Sequence, residues 1–432
     1  MFIAIYLCVR EKEYRICFAG YTNGVFGNSQ IAIVGQGYVG LPLAIQASKR
    51  GFKVVAIEQD QSRLRSLRYG VSYIEDVTSE EIRAAIDSGN YQATSDFSEI
   101  SSCSAIIVCV PTPITLEKNP DLGNLINAMQ SIATYISPKS LVVSESTSYP
   151  GTLRQVIEPI FKGSNKSPSK IFFAVAPERI NPGGSNFLNV PRVVSGLDEE
   201  SSRKVYELYS NLGFEVILAS NPEVAEAAKL LENTFRQVNI ALVNDFAKIM
   251  HKLQINTREV IEMAATKPYG FMRFDPGPGV GGHCIPVDPH YLIWAGKQVN
   301  YESSFIISAI GINDEMPYYV ISRIEDLIKD ALLGRRILIA GIAYKRGISD
   351  LRESPAVELI SGFKSKGAST FWYDPLVESF EGELPASIDA AYDIVVITLP
   401  GLELPINKWI DAETVIFDCT GHYASFPEVN QL

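Results

Sequence analysis

The sequence is poor in cysteine, and the few cysteines that it has are scattered. Six occur in 432 residues, and no two of them form a CxxC pair. This spacing argues against a disulfide framework and against a structural zinc site, and it suits a reducing, cytoplasmic compartment. The six are Cys8, Cys17, Cys103, Cys109, Cys284 and Cys419. Cys103 and Cys109 flank or lie in an apolar strand, so we expect both to be small buried side chains.

Runs of basic residues and long apolar runs are also missing. The net charge is −11 with 20% charged residues, which argues against a nucleic-acid binder, because such proteins need basic stripes. The apolar stretch FIAIYLCV has about eight residues and is too short to span a membrane. We therefore expect neither nucleic acid nor membrane as a partner. Residues 1–29 differ in character from the rest of the chain, and an extra strand, a tail and a wrongly chosen start all stay open for them.

Apolar residues make up 46% of the chain, enough for more than one large core. From Gln30 onward, short apolar strands alternate with helical stretches, a pattern typical of parallel strands in a doubly wound α/β sheet. PEVAEAAKLLENTFRQVNIALVNDFAKIMHK predicts one helix of about thirty residues. A second series of strands and helices begins at Arg335.

The motif GQGYVG, residues 35–40, follows the first strand and opens a helix. In that context Gly35 makes the tight turn, Gly37 lets the backbone approach a pyrophosphate, and Gly40 packs the helix on the strand. The helix N-terminus then faces the phosphates. Glu58 ends the next strand, where a carboxylate can bind a ribose diol and repel a 2′-phosphate. The pattern favours NAD over NADP; the alternative is a glycine turn in a nucleotide-free fold.

The stretch GPGVGGHCIPVDPHYL, residues 277–292, crowds glycine and proline around one cysteine. Such a backbone is held in turns and presents Cys284 to a small molecule. A thiolate attacks carbonyl carbon, and in a nicotinamide enzyme the adduct of an aldehyde can lose hydride and become a thioester that water hydrolyses. Asp288 can poise the water or a proton. The alternative is a structural loop with a buried cysteine.

Other candidates lie on the long helix and at strand ends. Lys229 and Asn233 have the i,i+4 spacing that places both on one helical face, where they can hold an oxyanion; the alternative is a surface pair. Ligands bind beyond the carboxyl ends of parallel strands. The residues at such ends are Thr112, Ser146, Thr147, Glu178 and Arg179. For the pair at 178 and 179 a structural salt bridge is the alternative.

Together these motifs resemble the UDP-glucose/GDP-mannose dehydrogenase family from about Gln30 to near the C-terminus. The segments that carry the resemblance are GQGYVGLPLA, VPTP, ESTSYPGT, APERINPG, KLLENTFRQVNIALVNDFA, GPGVGGHCIPVDPHYL and YKRGISDLRESPA. Within the family, CIPVDPHYL, TKPYGFM and APER look like the branch that oxidises UDP-N-acetylhexosamines. The resemblance implies two Rossmann-like doubly wound domains joined by a long central helix and a helical dimerisation region. The implied division is an extension over 1–29, an NAD-binding domain over 30–218, a central region with the cysteine loop over 219–330, and a UDP-sugar-binding domain over 331–432.

The resemblance also assigns roles residue by residue. Cys284 is the implied nucleophile, Lys229 and Asn233 steady oxygen in the intermediates, Asp288 supports water activation or proton transfer, and Glu178 helps hydrolyse the thioester. The implied NAD-binding residues are Gly35, Gly37, Tyr38, Val39, Gly40, Glu58, Arg63, Pro111, Thr112, Ser146, Thr147 and Arg352. The implied substrate-binding residues are Glu178, Arg179, Asn181, Lys229, Asn233, Gly277, Gly279, Gly281, Tyr344 and Lys345. No metal is implied.

Three of these positions have a more specific implied place. Thr112 is catalytic as well, lying beside the nicotinamide and the reacting water. Tyr344 matches a position that holds the nucleotide sugar, as Lys345 does. Arg352 matches one that reaches the NAD, although a solvated loop arginine is the alternative.

One departure from the family pattern concerns the second glutamate of UDP-glucose dehydrogenases, four residues after the first. Pro182 stands there in this chain, so a two-glutamate mechanism is not transferred. We expect Arg179 and Asn181 to reshape the pocket around an N-acetyl group.

The expected activity is therefore oxidation of the C6 alcohol of a UDP-N-acetylhexosamine to the uronic acid, with two NAD consumed per turnover. UDP-N-acetylglucosamine is the first candidate substrate. The same chemistry on UDP-N-acetylmannosamine, UDP-N-acetylgalactosamine or UDP-glucose is the alternative, and a catalytically silent NAD-binding regulatory protein is a remote one. We expect a cytoplasmic homodimer or higher homo-oligomer.

Overall fold

The computed structural model describes residues 7–10, 13–16, 29–164, 170–179 and 187–432. The chain divides into two compact units. The first unit comprises Met1–Leu231 and His290–Ala295, and the second comprises Glu232–Pro289 and Gly296–Leu432. Within the described residues, no helix combines the length and the apolar character needed to cross a membrane.

The first unit is built on an eight-stranded sheet with the order β10-β9-β8-β7-β6-β3-β4-β5. A separate antiparallel pair joins β1 (Leu7–Arg10) and β2 (Glu13–Ile16). The strands of the large sheet are β3 (Gln30–Val34), β4 (Lys53–Ile57), β5 (Tyr91–Thr94), β6 (Ala105–Val108), β7 (Leu141–Ser144), β8 (Phe172–Val175), β9 (Arg192–Gly196) and β10 (Val216–Leu218). Its central strands are buried along their length, which is why they read as continuous apolar runs.

Helices connect these strands and begin at capping residues where the sequence provides them. They are α1 (Gly40–Lys49), α2 (Gln61–Arg68), α3 (Ser79–Asp87), α4 (Gly123–Tyr135), α5 (Glu158–Gly163) and α6 (Glu199–Leu212). Short turns of tighter or wider helix occupy Phe97–Ser102, Leu153–Ile157 and Phe187–Asn189. The Asp60 carboxylate accepts hydrogen bonds from the first turn of α2, and Thr78 forms a capping box with Glu81 at α3.

The predicted long helix is present as α7 (Pro222–Leu253), with 32 residues. It is followed by α8 (Thr257–Ala265), α9 (Asp288–Gln298), α10 (Ser304–Asp314), α11 (Met316–Ile328), α12 (Pro355–Ser365) and α13 (Ile406–Asp411). The second unit contains a parallel sheet of five strands in the order β12-β11-β13-β14-β15. These are β11 (Arg336–Ala340), β12 (Ser369–Tyr373), β13 (Ile394–Ile397), β14 (Val415–Asp418) and β15 (Asn430–Gln431).

The predicted α/β class with two parallel sheets is confirmed, with one pair of strands in a different direction. β8 and β9 are antiparallel, whereas the alternating pattern suggests that they continue a parallel series. A parallel return needs a crossover, usually a helix, and the described part of this connection holds only the short turn Phe187–Asn189. The predicted domain boundaries and the dimerisation region stay predictions.

Candidate active site

The glycine motif at the end of β3, residues 35–40, is called the cradle here. At two of its glycines a side chain would clash with the backbone, and at one it would not. Gly35 has φ +90°, and a Cβ there would lie 2.6 Å from the Cys109 carbonyl oxygen. A Cβ on Gly40 would lie 1.8 Å from the Gly35 carbonyl oxygen. A Cβ on Gly37 would meet no atom of the described residues within 4 Å. The fold itself thus requires Gly35 and Gly40, whereas the space above Gly37 is left for a ligand, as a dinucleotide pyrophosphate requires.

This difference predicts different consequences for two alanine variants of the cradle. Gly40→Ala should destabilise the protein by about 2 kcal/mol or more, because backbone must move to admit the methyl group. Gly37→Ala should leave the melting temperature within about 1 °C of the wild type, yet weaken NAD binding about tenfold or more, since its methyl group occupies ligand space. Thermal melts and NAD titrations of both variants would check this. Unchanged NAD affinity in Gly37→Ala would contradict the cradle.

Glu58, the carboxylate predicted to bind the ribose, lies just after β4. This buried carboxylate accepts hydrogen bonds from the Gln36 N–H at 3.1 Å and from the Asp60 N–H at 2.9 Å. The Tyr73 hydroxyl donates to the Gln36 carbonyl oxygen at 2.5 Å, and the Arg63 guanidinium lies 5.5 Å from the centre of the Tyr73 ring. Burial and the nearby Glu58 charge raise the pKa of Tyr73. These residues fit an adenosine ribose, and Tyr73 is a neighbour that no sequence motif indicates.

The rest of the predicted cofactor rim lies on loops after β6 and β7. Tyr291 anchors the first loop, because its hydroxyl donates to the carbonyl oxygens of Thr112 and Pro113, both at 3.0 Å. The Ser146 hydroxyl donates to the Val110 carbonyl oxygen at 2.7 Å. The remaining predicted positions in this part of the unit are Tyr38, Val39, Pro111 and Thr147; none of them is buried. The Tyr38 hydroxyl lies 3.3 Å from Glu75.

Glu178 is a buried carboxylate after β8, and it pairs with an arginine that sequence reasoning missed. Arg192 Nη1 lies 2.6 Å from Glu178 Oε2, and both side chains are buried. The next residue, Arg179, donates from Nη1 to the Pro191 carbonyl oxygen at 2.8 Å. Two predicted positions nearby, Asn181 and Pro182, lie outside the described residues. Glu178 therefore forms a buried salt bridge at a strand end, with Arg192 as its partner.

In the second unit, two separately predicted site residues, Asn233 and Asp288, are joined directly. Asn233 Nδ2 donates to Asp288 Oδ2 at 2.5 Å, and both side chains are buried. Asp288 begins α9, and its N–H donates to the Cys284 carbonyl oxygen at 2.8 Å. Lys229, one turn before Asn233 on α7 and in the part of that helix assigned to the first unit, is buried as well. A buried amide and carboxylate are thus fixed next to the turn that carries the half-buried Cys284.

The glycines of the Cys284 loop pack against the segment that follows β11. A Cβ on Gly281 would lie 2.6 Å from the Tyr344 Cβ, and a Cβ on Gly282 would lie 2.7 Å from the Tyr344 ring. The Gly282 N–H donates to the Arg352 carbonyl oxygen at 2.9 Å. Gly279, with φ +138°, lies against Pro355. The glycines therefore have a structural role in bringing two loops of the second unit together.

Arg352 belongs to this loop contact and is held by Asp350. Its Nε lies 2.9 Å from both Asp350 carboxylate oxygens, and its Nη2 lies 3.3 Å from His283 Nδ1. Burial alone would raise the pKa of Asp350, but the Arg352 hydrogen bonds hold it below its usual value. The Arg352 side chain is exposed, and the neighbouring predicted residues Tyr344 and Lys345 are half-buried.

The start of the Cys284 loop is fixed by two buried asparagines that the motifs do not reveal. Asn244 Oδ1 accepts the Gly277 N–H at 2.9 Å, and its Nδ2 donates to Asn313 Oδ1 at 2.9 Å. Asn313 Nδ2 donates in turn to the Gln237 carbonyl oxygen at 3.1 Å. Both side chains are almost completely buried. They connect α7, α10 and the first glycine of the loop in one hydrogen-bonded chain.

Comparison with known families gives matches along most of the sequence. The UDP-glucose/GDP-mannose dehydrogenase family matches through its NAD binding domain at residues 29–213, its central domain at 223–315 and its UDP binding domain at 338–421.

Individual relatives point to more than one substrate. The UDP-N-acetyl-D-glucosamine 6-dehydrogenase of Pseudomonas aeruginosa is 34% identical, with 90% of this chain and 96% of the relative covered. The UDP-N-acetyl-D-mannosamine dehydrogenase of Methanocaldococcus jannaschii is also 34% identical, with 87% and 86% covered. Among solved structures, the UDP-N-acetyl-mannosamine dehydrogenase Cap5O from Staphylococcus aureus is similar with a TM-score of 0.81 at 29% identity, over 93% of this chain and 98% of that one.

Proposed function

The chain belongs to the UDP-glucose/GDP-mannose dehydrogenase family, and we propose that it oxidises the C6 alcohol of a UDP-N-acetylhexosamine to the carboxylic acid through a covalent adduct on Cys284. It is an NAD-binding oxidoreductase that acts on a UDP-sugar. The observation that carries the covalent mechanism is the buried Asn233–Asp288 hydrogen bond next to the Cys284 turn. This pair gives the turn that carries the thiol a fixed, polar neighbour.

Three other cysteines, at positions 103, 109 and 419, are poor candidates for the nucleophile. Burial raises the pKa of Cys103 to about 12. Burial likewise raises the pKa values of Cys109 and Cys419. Because the thiolate is the nucleophilic form, these three remain unreactive thiols near neutral pH. The half-buried Cys284 is the one in a glycine-rich turn beside polar side chains.

The proposed sequence of bond changes needs two hydride transfers and one water. NAD bound in the cradle supplies the hydride acceptor for each oxidation. The C6 alcohol first loses a hydride and its O–H proton to become an aldehyde. The Cys284 thiolate adds to the aldehyde carbon, and Lys229 and Asn233 hold the resulting oxygen anion. A second hydride leaves that carbon, which turns the adduct into a thioester.

Hydrolysis of the thioester then releases the acid. Glu178 takes a proton from water as the water oxygen bonds to the thioester carbon, and Asp288 supports this proton transfer. The carbon–sulfur bond breaks, and the electron pair returns to Cys284 as thiolate. Thr112 is proposed to orient the reacting water. One sugar alcohol, two NAD and one water therefore give one carboxylic acid, two NADH and protons.

The sugar is proposed to be UDP-N-acetylglucosamine, with UDP-N-acetylmannosamine as the second candidate. Support for the first comes from the Pseudomonas relative, and support for the second comes from the archaeal and staphylococcal relatives. The two sugars differ only in configuration at C2. Tyr344 and Lys345 are proposed to hold the nucleotide sugar in either case, and Arg179 is proposed to shape the pocket around the N-acetyl group.

Counting NADH formed per UDP-sugar consumed tests the proposal. The purified protein should form two NADH per sugar and turn over UDP-N-acetylglucosamine faster than its manno and galacto epimers or UDP-glucose. Two NADH with another epimer fastest would keep the covalent mechanism and change the substrate. One NADH per sugar would contradict the mechanism. No NADH with any of the four would favour a catalytically silent NAD-binding protein.

A further inference from the structure

A cluster of buried ionisable side chains lies near the ends of β7 and β8 in the first unit. Glu145 directly follows β7 and is 1% exposed; Arg192 begins β9 and is also 1% exposed. Arg192 Nη1 lies 2.6 Å from Glu178 Oε2 and 3.9 Å from Glu145 Oε2. One guanidinium therefore faces two carboxyl groups whose side chains are almost inaccessible to solvent.

The antiparallel direction of β8 and β9 explains how these residues meet. Val175 is opposite Ser195 in the ladder, and continuing the same register past the end of β8 brings Glu178 opposite Arg192. The Glu178 N–H also donates to the Glu145 carbonyl oxygen at 3.2 Å. The strand direction that differs from the sequence prediction is thus the feature that creates the buried ion pair.

Two further groups that face Glu145 are neutral hydrogen-bond donors. The Tyr209 hydroxyl, on α6, donates to Glu145 Oε1, and the Cys109 thiol, after β6, lies 3.8 Å from Glu145 Oε2. Burial raises the pKa values of Tyr209 and Cys109, so both stay protonated near neutral pH. The Phe214 ring covers the Arg192 guanidinium at 4.5 Å. Among these described side chains, the charges are therefore those of one arginine and two carboxyl groups.

Charge balance requires one of the two carboxyl groups to keep a proton. If both were ionised, the buried cluster would carry an uncompensated negative charge, which is strongly unfavourable in a low-dielectric interior. Glu178 has the shorter contact to Arg192, at 2.6 Å against 3.9 Å. Burial, opposed by the Arg192 charge but aided by Glu178, raises the pKa of Glu145 to about 8. The proton therefore resides on Glu145 at neutral pH.

We propose that Glu145 and Glu178 share a single proton beneath Arg192, and that Glu145 is the positioning residue that keeps Glu178 ready for thioester hydrolysis. The catalytic part of this inference rests on the function proposed for Glu178. In the neutral state the Glu145 O–H donates to the Glu178 carboxylate and fixes its orientation. The interaction between the two side chains is a hydrogen bond through one proton, and no other covalent bond of either residue changes. When that proton is lost, a second negative charge opposes the oxyanion formed during hydrolysis, so kcat falls.

Measuring stability against pH tests the shared proton without any turnover. The native state keeps the Glu145 proton up to about pH 8, whereas the unfolded chain releases it near the ordinary glutamate pKa of about 4.3. The free energy of unfolding of the wild type should therefore carry a contribution that decreases as pH rises between these values. Glu145→Gln lacks this contribution but retains a hydrogen-bond donor. The stability of the variant relative to the wild type should accordingly rise with pH across this window.

The pH dependence of kcat tests the catalytic part. The wild type should lose activity in an ionisation near pH 8, and this ionisation should be absent from the Glu145→Gln profile. Tyr209→Phe removes a hydrogen bond that lowers the pKa of Glu145, so its ionisation should move to higher pH. Glu226→Gln is the matched control: Glu226 is buried in the same unit but accepts its hydrogen bonds from the Gly151 and Leu153 N–H groups. It should keep the ionisation near pH 8.

Opposite results would overturn the inference. A Glu145→Gln variant whose stability relative to the wild type does not change with pH, together with an unmoved ionisation in Tyr209→Phe, would show that no proton is shared. The failure of the proposed function looks different. A wild type that forms no acid would remove the catalytic role of Glu178, while the stability comparison would still decide whether Glu145 holds the proton.

Discussion

Replacing Cys284 with serine should lower the rate of acid formation by about 10³-fold or more, equivalent to about 4 kcal/mol of transition-state stabilisation. A serine hydroxyl is a far weaker nucleophile than a thiolate at neutral pH. Any adduct on serine would become an ester, whose hydrolysis has a different leaving group from that of a thioester. The substitution changes one atom in a half-buried turn, so the fold should be preserved. Acid formation measured by product analysis, alongside thermal melting, would check this expectation.

The same variant should bind NAD with an affinity within about twofold of the wild type, since the substitution leaves the residues of the glycine cradle unchanged. Cys419→Ser is the matched control, because it makes the same change at a cysteine in the second unit that burial keeps as a thiol. We expect this control to retain acid formation at a temperature below its melting transition. Wild-type acid formation by Cys284→Ser would refute the covalent adduct.

The parts of the fold that can be predicted from sequence are those with a local sequence pattern. The buried strands near 31–34, 105–108 and 141–144 are visible as short apolar runs, because a strand buried on both faces has no polar alternation. The absence of glycine and proline within residues 223–253 indicates the long helix. The antiparallel direction of β9 is not predictable in this way, since its apolar pattern is the same whichever direction it runs.

The residues of the candidate site likewise differ in whether a local sequence pattern predicts them. Gly35, Gly40 and Cys284 stand in compact motifs, so their places depend on a few neighbouring residues. Glu145 and Arg192 are far apart in sequence and meet only because of the strand register. Each looks locally like an ordinary polar residue at a strand end. A buried ion pair of this kind depends on tertiary structure, and no spacing rule within one segment contains it.

Replacing Asn244 with leucine should destabilise the protein by about 2–4 kcal/mol and lower kcat by about tenfold or more. Leucine has the same branching of heavy atoms at Cγ but is larger, and its methyl groups form no hydrogen bonds. It leaves the Gly277 N–H and Asn313 Oδ1 without the partners that Asn244 provides at 2.9 Å each. A buried polar group that loses its partner costs about 1–3 kcal/mol. Chemical denaturation and steady-state kinetics on the same preparation would measure both effects.

The kinetic loss should follow from the position of Gly277 at the start of the Cys284 loop. If the asparagine only stabilises the fold, the folded fraction of Asn244→Leu would have wild-type kcat once corrected for unfolded protein, and the positioning role would be wrong. Asn239→Leu is the matched control on the same helix, because the Asn239 amide donates within α7, to the Phe235 carbonyl oxygen. It should change stability by less than about 1 kcal/mol. The two substitutions are chemically the same and differ in burial and in hydrogen-bond partners. A loss of kcat in Asn244→Leu alone would therefore assign the effect to the hydrogen bonds that connect α7, Asn313 and the loop.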